Sequence, residues 1–526
     1  MGAMVITAPE LEIAVLVLGM VILLVEAFAT KLDKRILAFA AIAGLAVVLL
    51  ASFFIAPSPA PNQAAGFWSF YTADRVAIFF KQFALLTTIF VLIMMTDYAP
   101  TVRSSFAELK EGRLPSHPED DPRRLGSRRS LMPGLGEFFA LPVFTCAGLM
   151  YLVSAIDFVF IFVSLELVTV SFYVLVSFTR RNPMTLEAGM KYLVLSALST
   201  AFLVFGIAWI FGATGETNLQ RITEALANHG VVAGIVDPGR LGATISPPAA
   251  SRLVGTTTID HSAALLGMVF VLVALGFKIA AVPFQIWVPD VYQGAPTPVT
   301  AYLSVGSKAA GFVVLLRVLQ PFMVLPETQR LIVLIALLTL IYGNLAALPQ
   351  ANLKRLLAYS SIAHAGYLLI GVVCFDVRAV TFYLVAYLLM TLLSFAILII
   401  VAQQTGEEIS DFDGLARRSP FLAFAMLIGM VSLAGVPFTA GFLGKFYIFY
   451  AAVLQRQIAL IVVGVITVGC GFYYYLKVVR AMYWQSAPTM DNIPVNGLSR
   501  FAISALIIAT ILLGIFPQPI FDALKR

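Results

Sequence analysis

Three lysines sit where the sequence offers no water. Lys278 lies inside "LGMVFVLVALGFKIAAVPFQIWVPD" (266–290), five residues before Pro283, and Lys308 and Lys445 lie in comparable apolar runs. An ammonium at the centre of a bilayer costs about 2.5 to 3.5 kcal/mol on insertion scales, so such groups are functional by default. Their chemistry is the binding and release of protons. Removal from water disfavours the charged form of an amine, and a carboxylate nearby restores it. Glu166, in "FVFIFVSLELVTVSFYVLV" (158–176), is apart from Glu26 the one carboxylate that reads as close to mid-span, and so is the natural counter-charge. Moving that carboxylate, or its proton, would switch a lysine between holding and releasing. A purely structural ion pair is the competing reading.

Pro283 and Pro437 supply the second ingredient. A proline inside a helix removes one backbone hydrogen bond and frees a carbonyl. At membrane depth such backbone survives only when buried in protein or lining a wet cavity. A break of this kind hydrates a neighbouring lysine; a simple kink is the bland alternative. His364, in "YSSIAHAGYLLIG" (359–371), titrates near neutrality and is a possible relay, or else a neutral packing residue. Lys191 is a possible relay too, but Lys81, Lys191 and Arg317 lie within a turn or two of a helix end, where long side chains snorkel to the headgroups. His117, His229 and His261 share no metal-ligand spacing, so no metal site is expected.

The elements that position these groups follow from composition. The chain has 526 residues, 60% of them hydrophobic and 12% charged, about half the charge of a soluble domain. Apolar runs of about 20 residues, the length of a bilayer crossing, recur throughout. Fourteen crossings are expected, an all-α polytopic membrane protein: 10–28, 36–56, 76–96, 137–154, 157–178, 188–212, 262–287, 297–319, 330–349, 355–375, 379–402, 420–449, 457–480 and 499–520. The first lacks a basic head and a clear cleavage site, and reads as a retained helix rather than a signal peptide. Three N-terminal helices (1–96) precede a polar loop (97–136), which contains "HPEDDPRRLGSRRS" and reads as cytoplasmic. A second long loop, 213–261, reads as outward-facing, with the apolar patch "GVVAGIV" between polar ends.

"AAVPF" at 280–284 in helix seven answers "AGVPF" at 434–438 in helix twelve. The offset of five helices is odd, so helices 4–8 (137–319) and 9–13 (330–480) read as inverted repeats, each with one proline-broken helix, followed by a last helix at 499–520. Transporters place ion paths at such breaks. Basic residues concentrate in the odd-numbered loops, about twice as many as in the even ones, so both termini are expected outward.

The net charge of +6 follows this topology and does not indicate a nucleic-acid partner. The three cysteines, Cys146, Cys374 and Cys470, lie in separate helices without CxxC spacing, too few for a four-thiolate iron–sulfur cluster. Neither GxGxxG after a strand nor GxxxxGK[ST] occurs, so dinucleotide and ATP sites lack support. Energy for transport must arrive from outside the chain.

Four stretches, "EAGMKYLVLSALSTAFLVFG", "GFKIAAVPFQIWVPDVYQGAPTPVTAYLSVGSKAAGF", "GNLAALPQANLKRLLAYSSIAHAGYLLIG" and "AGVPFTAGFLGKF", resemble the antiporter-like subunits of proton-pumping NADH:quinone oxidoreductase, respiratory complex I. The "APTPVTAYLSVGSKAAGF" segment is similar to the N (subunit 2) family rather than its sisters. The resemblance runs from about residue 70 to 485. It implies fourteen helices with inverted repeats and a row of polar groups along mid-membrane. Within that row, Glu166 would be the fifth-helix glutamate, Lys278 the seventh-helix lysine, Lys308 the bridging lysine and Lys445 the residue near the exit. It implies no cofactor in this chain, with NADH, FMN, iron–sulfur clusters and quinone in partner subunits. Partners would be a sister antiporter-like subunit and small membrane subunits in a bacterial plasma membrane. A cation/proton antiporter subunit of a non-redox complex and a mainly structural membrane subunit are the other readings. The long loops at 97–136 and 213–261 depart from the family's shorter connections.

Overall fold

In the computed structural model, residues 8–29, 34–57, 69–110, 135–179, 182–226, 261–323, 325–486 and 492–525 are described. Thirteen helices are long and apolar enough to cross a bilayer, among the described residues. The first six crossings are α1 (Ala8–Phe28), α2 (Arg35–Ser52), α3 (Arg75–Lys110), α4 (Leu135–Ser154), α5 (Phe158–Val176) and α6 (Pro183–Thr214). Their starts are chemically marked. Asp74 accepts from Ala77 N at 2.7 Å at the head of α3, Asp157 from Val159 N at 2.8 Å at that of α5, and Asn182 from Met184 N at 3.0 Å at that of α6. Each satisfies a backbone donor that the first helical turn leaves open.

The seventh crossing is interrupted. It begins as α7 (His261–Ile279) and resumes as α8 (Trp287–Gly294). Between them Ala280 turns to φ 66°, and Val282 N donates to Thr339 Oγ1 of a neighbouring helix at 3.0 Å. The eighth is a single rod with a defect: α9 (Thr297–Tyr302), a π turn (Leu303–Ser307) and α10 (Lys308–Leu319). Such widened turns collect at functional positions, and this one ends on Lys308. Then come α11 (Pro326–Ala347), α12 (Leu353–Val373) and α13 (Val377–Ala402), a short α14 (Leu415–Arg418), and α15 (Pro420–Ala434) and α16 (Ala440–Leu454) on either side of Pro437. The chain closes with α17 (Ile458–Trp484), α18 (Gly497–Ile515) and α19 (Gln518–Lys525). Counting α15 and α16 as one broken crossing reaches the fourteen expected, with breaks at both prolines.

Burial sorts these helices. The rod 297–322, α12 and α13 are enclosed nearly all round, whereas α1, α2, α6 and α17 keep most of their surface outward. Outward apolar side chains on such helices face lipid or partner helices. The enclosed helices carry Lys308 and His364, so these charges are held by protein.

Two boundaries differ from the sequence reading. α3 does not stop at 96 but runs through Pro100 to Lys110. Asp97, which reads as a stop, is satisfied by α18: Asn496 Nδ2 donates to its Oδ1 at 3.0 Å and Ser499 Oγ to its Oδ2. In the loop expected at 213–261, residues 219–226 are helical. The "GVVAGIV" patch, the "HPEDDPRRLGSRRS" stretch, His117 and His229 lie outside the described residues.

Candidate proton-carrying row

Helical breaks set the first station. Lys278 occupies the last turn of α7, where the chain halts in mid-span, and is 5% exposed. Its Nζ donates to Thr169 Oγ1 of α5 at 3.2 Å. Glu166, one turn earlier on α5, does not bond the lysine directly; its Oε1 accepts from Thr200 Oγ1 of α6 at 2.6 Å. The carboxylate still lies within electrostatic reach of Lys278. The expected counter-charge is therefore nearby but not bonded, each group holding its own hydroxyl, Thr200 for Glu166 and Thr169 for Lys278.

Lys308 stands about halfway along the eighth crossing and is 1% exposed. Its amine donates to both the carbonyl and the hydroxyl of Ser361 on α12, and lies 5.6 Å from the centre of the Tyr387 ring. One turn on, Gly311 lets α10 press against α7. A Cβ there would come within 2.9 Å of Ile279 and 3.6 Å of the Lys278 side chain, so the two lysine-bearing helices meet where a side chain would separate them.

His364 continues the line. It lies near the middle of α12, three residues after Ser361, and is 1% exposed. Its Nδ1 is 2.7 Å from the Tyr383 hydroxyl and its Nε2 3.1 Å from that of Tyr475. One ring nitrogen donates and the other accepts in the neutral form, and both tyrosines can do either. The Tyr475 hydroxyl also bonds Ser360, and Ser304 Oγ is 2.8 Å from the Tyr387 hydroxyl. His364 thus lies in a hydroxyl-rich span within reach of both Lys308 and Lys445.

Lys445 ends the row at the second break. Its Nζ donates to the carbonyls of Leu433 and Ala434 at 2.9 and 2.8 Å, and lies 5.2 Å from the Tyr367 ring centre. These carbonyls close α15, where Gly435 turns to φ 89°. The C-terminal end of a helix carries partial negative charge, so the break itself stabilises the ammonium. Four stations fall in the middle of their crossings, and each has neutral hydrogen-bond partners of its own.

Other singled-out residues fall elsewhere. Lys191 stands apart, 39% exposed, with Glu187 and Asp290 each at 2.6 Å; Asp290 also binds Arg355 at 3.0 Å. Arg317 pairs with Asp74 at 2.9 Å near a helix end, as its position suggests. Lys81 does not snorkel. It is fully buried and paired at 2.9 Å with Glu12 of α1, also fully buried. Sequence reading passed over Glu12 because it sits near the start of the first crossing, 69 residues from its partner. Tyr383, Tyr387 and Tyr475 were missed as well, since a tyrosine in an apolar helix carries no charge to flag it. Among the described residues no group of three or more His, Cys, Asp or Glu is placed to hold a metal ion.

A family model described as "NADH:quinone oxidoreductase/Mrp antiporter, TM" matches residues 155–471, which include Glu166, Lys278, Lys308, His364 and Lys445. The chain belongs to this family. Within it, NADH-quinone oxidoreductase subunit N of Desulforamulus reducens is 35% identical over 520 residues, covering 97% of this chain and 95% of that protein. The protein of the same name from Desulfitobacterium hafniense is 39% identical over 409 residues, 73% of this chain and 76% of that protein. A chain of respiratory complex I from Thermus thermophilus with bound aureothin superimposes with a TM-score of 0.73 at 29% identity, over 98% of this chain and 99% of that one. The fold is also similar to a chain of the Mrp complex from Dietzia, TM-score 0.75 at 20% identity, over 98% and 96%.

Proposed function

We propose that this chain is the antiporter-like N subunit of a respiratory NADH:quinone oxidoreductase in a bacterial plasma membrane, and that it carries protons through Glu166, Lys278, Lys308, His364 and Lys445. The observation that carries the reading is the pairing of three buried lysines with neutral oxygens, with His364 and its tyrosines within electrostatic reach of two of them. A hydroxyl or carbonyl accepts from an ammonium or from a neutral amine alike, so each lysine can change protonation without losing its partner. A carboxylate in direct contact would pin the charged state.

Glu166 is the input. It shares the outward face of α5 with Val159, Val163 and Val170, each more than half exposed. A carboxylate on that face at mid-span would meet hydrocarbon unless another subunit covers it, and intramembrane carboxylates face protein or water. A small membrane subunit there would set the charge of Glu166, with a sister antiporter-like subunit further along. Redox chemistry in partner subunits, which hold the NADH, FMN, iron–sulfur and quinone sites, changes the field around Glu166. Lys278 then releases its proton toward Lys308, the proton passes through Ser361, His364 and the tyrosines to Lys445, and it leaves outward at the second break. The breaks at Pro283 and Pro437 occupy corresponding places in two inverted halves, helices 4–8 and 9–13, and both termini face outward. The near full-length likeness to N subunits favours this reading over a redox-free antiporter.

Lys278→Met in the assembled complex tests it. The variant keeps the apolar stem and loses the proton site, so proton translocation at equal complex content falls several-fold. Normal translocation with normal assembly removes Lys278 from the path.

A further inference from the structure

The most deeply buried ion pair among the described residues lies outside the row and outside the segment that the family model covers. Glu12 of α1 and Lys81 of α3 have no exposed surface, and Tyr71 joins them: its hydroxyl donates to Glu12 Oε1 at 3.0 Å and accepts from Lys81. Oε1 therefore takes two partners. Oε2 is buried with no hydrogen-bond partner among the described residues. A pair kept only to fasten α1 to α3 has little use for that, because an unmet buried acceptor destabilises; an oxygen that must receive a proton has to be left open.

The pair belongs to a stripe. Asp74 caps the start of α3, and Lys81 and Thr88 follow it at intervals of seven residues, which places the two on one face about two turns apart. At the inner end, the Thr88 hydroxyl lies 2.7 Å from that of Tyr302, six residues before Lys308. The buried Cys146 thiol of α4 donates to Met150 Sδ and is within electrostatic reach of Glu12. At the other end, Asp74 and Arg317 are within electrostatic reach of Lys81 and line a surface cavity of about 340 Å³ together with Thr72, Glu224 and Gln320. Thr72 Oγ1 and Arg317 Nε also lack a partner among the described residues. Buried polar groups of this kind are where ordered water is held. The cavity opens on the face that holds the start of α3 and the end of α10, the side that the basic residues assign to the outside.

From this geometry we infer that Tyr302, Thr88, Glu12, Lys81 and Asp74 form an outward proton branch, which leaves the row near Lys308 and empties into the Asp74–Arg317 cavity. The inference rests on the row being the proton path. In the step itself, the Tyr302 hydroxyl gives its proton to the Thr88 hydroxyl and takes a replacement from the row, while Thr88 turns its own proton away from the Ala84 carbonyl and passes it through water toward Glu12. Glu12 carboxylate binds it on Oε2 and becomes a carboxylic acid beside the Lys81 ammonium. The acid then returns one proton to water at the Asp74 carboxylate and is a carboxylate again, so one proton enters and one leaves.

The tests are Thr88→Val, which keeps the shape and removes the hydroxyl, and the double change Glu12→Gln with Lys81→Met, which removes both charges together so that neither is stranded. Both are made in the assembled complex and read as proton translocation at equal complex content. Several-fold slower translocation in both variants is expected. Normal translocation in Thr88→Val overturns the branch, even where the double variant fails to assemble, since the fastening role alone explains that failure. Lys278→Met measured alongside keeps the readings separate: if it abolishes translocation while Thr88→Val does not, the row stands and the branch falls.

Discussion

Each buried amine of the row has its own acceptors: Thr169 for Lys278, Ser361 for Lys308, and the Leu433 and Ala434 carbonyls for Lys445. Lys81 is the contrast, since it meets a carboxylate directly. Neutral acceptors give the row amines freedom to titrate, and the spans between them must then be bridged. His364 is the proposed bridge, with Tyr383 on one ring nitrogen and Tyr475 on the other. His364→Phe keeps a flat ring of similar size and deletes both nitrogens. Translocation is expected to drop several-fold while the complex assembles normally, as measured by proton uptake in vesicles; unchanged uptake would mean that the tyrosines alone carry the proton. The row's charges were legible in the sequence because a lysine in an apolar run is conspicuous whatever its surroundings. Their partners were not. Tyr475 lies 111 residues from His364 and Thr169 lies 109 from Lys278, and no local pattern connects residues so far apart. Separation also hid Thr200, which bonds Glu166 from 34 residues away.

At the scale of elements, the two breaks do different things with the same motif. In the first, "AAVPF" follows Lys278 and the amine sits at the end of the half-helix; in the second, "AGVPF" precedes Lys445, whose side chain reaches back to cap the half-helix before it. Gly435 makes the second arrangement possible. At φ 89° it adopts a conformation that side chains resist, and a Cβ would sit 3.0 Å from Lys445 Cδ and 3.2 Å from its Nζ. Left-handed backbone costs a non-glycine residue about 1–2 kcal/mol. Gly435→Ala is therefore expected to destabilise by about that amount and to push the amine off its two carbonyls. Slower translocation in complexes that still assemble, at a loss greater than the fall in assembled yield, is the checkable outcome. The breaks themselves were readable from the prolines. The reach of α3 to Lys110 was not, because Asp97 and Pro100 look like a stop until α18 supplies the donors for Asp97.

The whole molecule separates the charges proposed to move protons from charges that fasten helices. Lys308 and His364 of the row occupy enclosed helices at mid-span; the exposed fastening pairs lie nearer the ends of crossings, where Asp290 binds both Lys191 of α6 and Arg355 of α12. Partly exposed pairs of this sort are individually worth about 1 kcal/mol or less. Asp290 holds two cations at once, so Asp290→Asn leaves both without their shared acid and loosens three helices together, α6, α8 and α12. The midpoint of thermal dissociation of the detergent-solubilised complex is expected to fall by a few degrees, while translocation per assembled complex at lower temperature stays close to normal. The opposite pattern, full thermal stability with translocation lost, would transfer Lys191 and Asp290 from the fastenings to the path and extend the row to that surface. The expectation turns on exposure: Lys191 is 39% exposed and outside the proposed row, whereas Lys308 is 1% exposed.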